Sequence, residues 1–294
     1  MLLARLGAKG EERPVLLTED RAYDLTELIG DLDPARLATG FAEIEQAHRA
    51  GELPELDADG LRRGAPIAST PAVICIGQNY AAHAAESGAE PPKRPIIFLK
   101  TPNTLAGPDD EVAIPPEAEK VDWEVELGVV IGRPAYRLTS REEALEHVAG
   151  YLVVDDLSER EFQLEHSGGQ WSKGKCLPGF LPAGPWLVTP DEIDPGNLRL
   201  RSRVNGDARQ DSSTSDMIFD VADILIDLSQ YMALEAGTII CTGTPQGVAL
   251  SGRFPYLKPG DVAEIEIEGL GTQRHAFVAL AGNPADTTTE GNAR

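Results

Sequence analysis

From Pro71 onward the chain is a succession of short apolar runs rich in Val and Ile, many of them closed by Gly or Pro turns. Such runs predict β-strands, here at 73–76, 96–100, 112–114, 123–131 and 150–154, then at 185–189, 198–204, 238–242 and 262–267. Helical patterns are few: 140–149, opened by a Ser140-x-x-Glu143 capping box, and 218–233. The first 70 residues have their own texture. Two apolar runs, 2–6 and 14–17, flank a polar Gly-containing turn and predict a hairpin. A helix is expected over 34–50, with Asp33 as N-cap, Pro34 in its first turn and Gly51 at its end. Its apolar positions Leu37, Phe41 and Ile44 recur every three to four residues. A polar connector over 57–69 predicts a boundary near residue 70, dividing a small domain, 1–70, from a larger one, 71–281. The polar stretch 282–294 is expected to be a disordered tail. This is an α+β, β-dominated pattern, not the strand–helix alternation of a doubly wound sheet.

Composition adds exclusions. A chain of 294 residues can bury a sizeable core. Its formal net charge of −22 makes nucleic acid and anionic membrane surfaces poor partners. A small anionic substrate is not excluded, because it answers to the local charge of a cleft. No apolar run reaches the roughly 18 residues of a membrane span, and the opening segment 1–7 is too short for a signal peptide. Cys75, Cys176 and Cys241 are odd in number and lack Cys-x-x-Cys spacing, which argues against a disulfide framework or a thiolate metal site. The chain reads as cytoplasmic. No P-loop, no G-x-S-x-G elbow and no G-x-G-x-x-G entering a helix occurs, so nucleotide-dependent and serine-hydrolase chemistry are disfavoured.

Candidate chemistry starts at Asp122-Trp123-Glu124-Val125-Glu126-Leu127. On a strand Glu124 and Glu126 share a face, with attachment points about 6.6 Å apart. Either a cation sits between them or the strand is an edge whose acidic face meets water. In Gly77-Gln78-Asn79-Tyr80-Ala81-Ala82-His83-Ala84-Ala85-Glu86, Ala-rich sequence favours a helix. His83 and Glu86 would then be i,i+3 neighbours, either a water-activating pair or two exposed side chains. Asp155-Asp156 ends an apolar run and could deliver a carboxylate to a site or simply cap a turn. If Asp156 met Glu124 and Glu126, the all-oxygen donor set would suit Mg²⁺ or Mn²⁺ before Zn²⁺. Lys175, among glycines, could meet an anionic substrate or lie in solvent. Thr242-Gly243-Thr244-Pro245 could offer hydroxyl and N–H groups or be only a turn.

Taken in order, these pieces resemble the fumarylacetoacetate hydrolase family. The matching motifs are Gly77-x-Asn79-Tyr80-x-x-His83-x-x-Glu86, Phe98-Leu99-Lys100, Asp122-x-Glu124-x-Glu126-Leu127 and Asp156-x-Ser158-x-Arg160 with Gln163. They continue with Gln170-Trp171-x-x-Gly174-Lys175, Gly184-Pro185-Trp186, Thr214-Ser215-x-Met217-Ile218-Phe219 and Thr242-Gly243-Thr244-Pro245-x-Gly247-Val248. Two departures stand out. Asp155 replaces a frequent Asn, and Cys176-Leu177-Pro178-Gly179-Phe180 replaces the more usual Ser-x-Asp-Thr-Phe.

The resemblance implies a mixed β-sandwich roll with a small appended N-terminal domain, a homodimer, and Mg²⁺ or Mn²⁺ held by Glu124, Glu126 and Asp156. It makes His83 and Glu86 a water-activating pair on a mobile lid, and Lys175 the cation beside the reacting carbonyl. It puts Gln163 and Thr244 against substrate, with Lys100 and Arg160 as supports there. The activity it implies is hydrolytic C–C cleavage of an acylpyruvate-type 2,4-dioxo acid. The Glu159–Lys175 region looks similar to members acting on diketo-deoxy sugar acids. The same resemblance covers oxaloacetate-type decarboxylases and 2-hydroxy-diene-dioate isomerases, and a non-catalytic metal- or acid-binding protein is a further alternative.

Overall fold

The computed structural model describes residues 1–86 and 90–281; the expected tail 282–294 lies outside them. Ten strands form one mixed sheet. In spatial order they are Glu55–Leu56, Ala22–Asp24, Arg13–Leu17, Leu2–Leu6, Leu187–Val188, Val148–Asp155, Val125–Ile131, Ile239–Cys241, Val73–Gly77 and Ile96–Lys100. The N-terminal hairpin therefore continues the main sheet, with Leu2–Leu6 pairing with Leu187–Val188. A second, five-stranded sheet runs Asp207–Ser213, Arg199–Val204, Val262–Ile267, Gly271–Ala279, Val112–Ile114.

Strand periodicity sorts the core between two faces. Val125, Leu127, Val129 and Ile131 pack with Leu200, Ile265 and Phe277 of the second sheet, which makes the sandwich. Val130, Leu152 and Val154 face the other way, onto Leu37, Phe41 and Ile44. The architecture is α+β and sheet-dominated, as expected.

Several elements differ from the sequence reading. The helix expected over 34–50 is two helices, Pro34–Thr39 and Ala42–Ala50, because Gly40 takes φ 76°, ψ −170°, which no helix contains. Asp33 does cap the first, accepting from Arg36 N. The strand expected over 123–131 is not an exposed edge. Val125–Ile131 is buried throughout and paired on both sides. It also starts later, because the Glu124 N–H donates to the Asp155 side chain (2.8 Å) and not to a neighbouring strand. The helix expected over 140–149 stops at Leu145, and the chain enters the sheet at Val148. The one expected over 218–233 is Val221–Ser229. Asp207–Ser213 and Gly271–Ala279 are strands that the apolar pattern does not announce.

Val148–Asp155, Ile239–Cys241 and Val73–Gly77 all run antiparallel to Val125–Ile131 or parallel to a strand that does. Their carboxyl ends thus lie at one edge of the sheet, where Val125–Ile131 begins. Asp156, Thr242–Thr244 and Gln78 leave from that edge.

Candidate active site

At this edge Glu124, Glu126 and Asp156 each bring a carboxylate oxygen within 4.8 Å of the others, all three buried. Three backbone N–H groups put them there. The Glu124 N–H is held by Asp155 Oδ1, and Asp156 N donates to Glu124 O (3.0 Å). Gly243 N donates to Glu126 Oε2 at 2.8 Å. Gly243 has φ 100°, and a Cβ there would lie 2.8 Å from Asn79 Cβ, so only glycine brings this N–H so close. Buried Asn79 fixes that turn, donating to Thr242 O (2.7 Å) and Phe219 O (2.9 Å) and accepting from Phe219 N (2.9 Å).

Three cations are interleaved with the acids. Lys175 Nζ donates to Glu124 Oε2 (2.6 Å) and Asp156 Oδ2 (2.8 Å). It reaches them because Gly174 has no side chain; a Cβ there would meet Glu159 O at 2.3 Å. Lys100 Nζ donates to Asp156 Oδ1 (2.6 Å) and Leu157 O (3.0 Å). Arg160 donates to Asp122 Oδ2 (2.8 Å), Glu124 Oε1 (2.6 Å) and Gln163 Oε1 (2.9 Å). Asp122 also accepts from the Ala249 and Leu250 N–H groups, which explains its place outside the triad.

Ionisation follows this pairing. Burial pushes the Glu124 carboxyl up, but the charges of Lys175 and Arg160 outweigh it and hold Glu124 at about 2. Glu126 has no cation within salt-bridge distance among the described residues. Burial, then Asp156, Cys241 and Glu124, push its carboxyl well above the usual range. For Lys175, burial acts downward, yet Asp156 and Glu124 raise it above a normal lysine, so it stays an ammonium. A cluster of all-oxygen donors in which one buried carboxylate lacks a counter-charge fits a hard divalent cation.

A cavity of about 410 Å³ opens onto the cluster, lined by Glu124, Glu126, Lys175, Gln163, Thr244 and His83. Phe98, Trp171, Val248 and Leu250 supply its apolar wall. Arg160 lines it with every guanidinium nitrogen already engaged. Lys100 and Asp156 stand behind the wall. Lys100 thus departs from its expected place against substrate: 3% exposed, it steadies Asp156 instead.

His83 lies on the helix Ala81–Glu86, whose Ala82 N–H is held by Asp216 Oδ2 (3.1 Å). Its Nδ1 is 3.7 Å from Glu86 Oε2 and has no hydrogen-bond partner. The i,i+3 geometry is therefore present, but the orienting hydrogen bond is not. Glu86 accepts instead from Gly247 N (3.2 Å) and from Arg253. Burial lowers the His83 pKa, against the pull of Glu124.

Two further buried residues support the site and carry no motif signal. Gln210, on the polar strand Asp207–Ser213, bonds Thr244 Oγ1 (2.8 Å). His275, on Gly271–Ala279, bonds Asp155 Oδ2 (2.9 Å), and both are fully buried. Their only sequence mark is a polar residue at an inward strand position. His275→Leu would leave the Asp155 carboxylate without that partner, a cost of at least about 1–3 kcal/mol. The expected result is a lower urea midpoint with unchanged slope; an unchanged midpoint would remove His275 from this role.

A cavity lined by clustered carboxylates, an ammonium among them and an imidazole beside them has the groups of an active site. The model of the fumarylacetoacetate (FAA) hydrolase C-terminal family matches residues 72–278, and the chain belongs to the fumarylacetoacetate hydrolase family. It is 43% identical over 279 residues to 2,4-didehydro-3-deoxy-L-rhamnonate hydrolase of Sphingomonas sp. (strain SKA58), covering 93% of this chain and 95% of the other. Fumarylacetoacetate hydrolase from Exiguobacterium antarcticum superposes with TM-score 0.82 at 36% identity, covering 95% of this chain and all of that one. Maleylpyruvate hydrolase from Sphingobium sp. SYK-6, solved with manganese (II) ion and pyruvate, gives TM-score 0.77 at 28% identity over 96% of this chain and all of that one.

Proposed function

We propose that the protein is a divalent-metal-dependent hydrolase that cleaves a C–C bond in an acylpyruvate-type 2,4-dioxo acid, a diketo-deoxy sugar acid being the favoured form. The observation that carries this reading is the cluster of Glu124, Glu126, Asp156 and Lys175, of which Glu124, Glu126 and Lys175 line a cavity that His83 also lines. The relative named for a didehydro-deoxy sugar acid and the neighbour holding manganese and pyruvate both support it. Mg²⁺ or Mn²⁺ would be held by Glu124, Glu126 and Asp156 and would supply Lewis-acid polarisation of substrate oxygens. The working assembly we propose is a cytoplasmic homodimer.

The chain's own residues do the rest. A small approach of His83 to Glu86 places Nδ1–H on the carboxylate and leaves Nε2 as the base. Neutral at pH 7, Nε2 takes a proton from water as the water oxygen attacks the distal carbonyl carbon. The C–C bond then breaks, leaving a carboxylic acid and the enolate of pyruvate. Lys175, permanently cationic, stabilises the developing negative charge, and Gln163 donates from Nε2.

The His83 pKa is depressed below 6.5, and only its neutral form works as a base. At saturating metal, kcat/KM should therefore be flat around neutrality and fall only as pH drops below 6.5. A limb centred above 6.5 would contradict this assignment. The reaction itself is tested by assaying acylpyruvates, diketo-deoxy sugar acids and oxaloacetate with Mg²⁺, Mn²⁺ or EDTA. Metal-dependent pyruvate release from the dioxo acids is expected. Turnover of oxaloacetate alone would favour a decarboxylase, and silence despite bound metal a binding protein.

A further inference from the structure

Glu86 is pulled in three directions. It ends the helix Ala81–Glu86, one turn beyond His83. Its Oε2 accepts from Gly247 N (3.2 Å) and lies 3.7 Å from His83 Nδ1. Its Oε1 accepts from Arg253 Nη2. Both partners are fixed by their own turns. Gly247 has φ 102°, and a Cβ there would lie 2.5 Å from Arg209 O, so glycine is what brings this N–H to the carboxylate. Arg253 follows the turn Ala249–Ser251 and the left-handed Gly252 (φ 76°). Its N–H donates to Ser251 Oγ (3.3 Å), and its guanidinium lies over the Phe254 ring, 5.6 Å from the centroid.

His83 is left with a buried Nδ1 that has no partner and a carboxylate just out of reach. A free Glu86 would be drawn onto that nitrogen, since a carboxylate favours the charged imidazole. Arg253 supplies the opposing pull, because a bond from a guanidinium to a carboxylate is stronger than one from a neutral ring. The other charges facing the ring are already committed. Burial and then Arg160 favour the neutral form of His83, while Glu124, Glu86 and Asp122 favour the imidazolium. Of these, Glu124 and Asp122 are both held by Arg160 (2.6 and 2.8 Å).

Resting on the hydrolase reading above, we infer that Arg253 is a positioning residue for the base. By holding Oε1 it keeps Glu86 beside the imidazole yet off Nδ1, so that the resting enzyme carries His83 neutral and ready to take a proton from water. Arg253 acts only through Glu86; it makes no contact with the imidazole. Without it, the released carboxylate stabilises the imidazolium, His83 titrates at higher pH, and activity is lost on the acid side.

The test is Arg253→Gln, read in two ways on the Mg²⁺-loaded protein. By NMR, the His83 Cε1–H signal, identified by its absence from His83→Ala, should titrate about one pH unit higher than in the parent. The acid limb of kcat/KM for 2,4-dioxopentanoate or a diketo-deoxy sugar acid should move with it. That is a loss of up to about 10-fold on the acid side, against a change within a few-fold at about pH 8. Arg253→Lys should stay close to the parent. In a Glu86→Gln background Arg253→Gln should move neither readout, whereas a merely loosened loop would lower kcat/KM at every pH in both backgrounds. An unmoved His83 titration in Arg253→Gln, or an equal rise in the Glu86→Gln background, would overturn the inference and leave the hydrolase reading standing. No pyruvate release from any dioxo acid would overturn the hydrolase reading and, with it, the part of Arg253 in a reaction, whatever the titration shows.

Discussion

Glu126→Gln is expected to abolish the response to Mg²⁺ and Mn²⁺ while leaving the metal-free fold intact. Metal-free, the Glu126 carboxyl titrates well above its usual range, because burial and then Asp156, Cys241 and Glu124 oppose its charge. A neutral glutamine amide therefore resembles the form that the protein already tolerates, and its oxygen can still accept from Gly243 N. What is lost is the charge that a hard cation requires. For the parent protein, metal at 100 times its Kd should add about 2.7 kcal/mol of stability. In the variant that increment should vanish, and calorimetry should show affinity weakened by at least about 100-fold, beyond the 10–100-fold usual for residues behind the ligands. The parent's metal affinity should itself fall as pH drops through the raised Glu126 pKa, because proton and cation compete for one carboxylate. Unchanged affinity in Glu126→Gln would take this residue out of the ligand set.

His83→Ala should lower kcat by about 10²–10⁴-fold, the usual contribution of a positioned base. It should leave metal affinity within a few-fold, since His83 makes no hydrogen bond to Glu124, Glu126 or Asp156 in this structure. Glu86→Gln is the informative companion. Glu86 is engaged with Arg253 and Gly247 and stands 3.7 Å from the imidazole, so it acts only if one of the two side chains turns toward the other. Full turnover in His83→Ala would sink the base assignment.

The acidic strand was legible because three features coincide: alternation at Glu124 and Glu126, a composition rich in Trp, Val and Ile, and an ordered set of motifs around them. Its surroundings were less so. Trp123-Glu124 breaks the ladder because a side chain, Asp155, takes the Glu124 N–H, and no local propensity encodes a partner 31 residues away. The resemblance made Lys100 a support against substrate; only the fold shows Asp156 against it. Gln210 and His275 were invisible for one reason. Their strands put polar side chains inward, where apolar ones are the expected signal, and those side chains are held by groups distant in sequence, His275 through Nε2. Gly40 was read as one more residue within a helix, although glycine is among the weakest helix formers and splits it.

The bond from His275 to Asp155 also has a bearing on when the site can exist. The two residues are 120 positions apart, and His275 lies on the last described strand. At about 5–20 residues per second of synthesis, about 6–24 s separate the emergence of Asp155 from that of its partner. For that interval the nascent chain carries its acidic cluster without the strand that locks it, and Val112–Ile114 also waits for Gly271–Ala279 as its neighbour. Assembly of the acidic site is thereby tied to synthesis of the strand Gly271–Ala279. A ribosome stalled before residue 275 would hold a chain whose carboxylates have been made but not yet set in place.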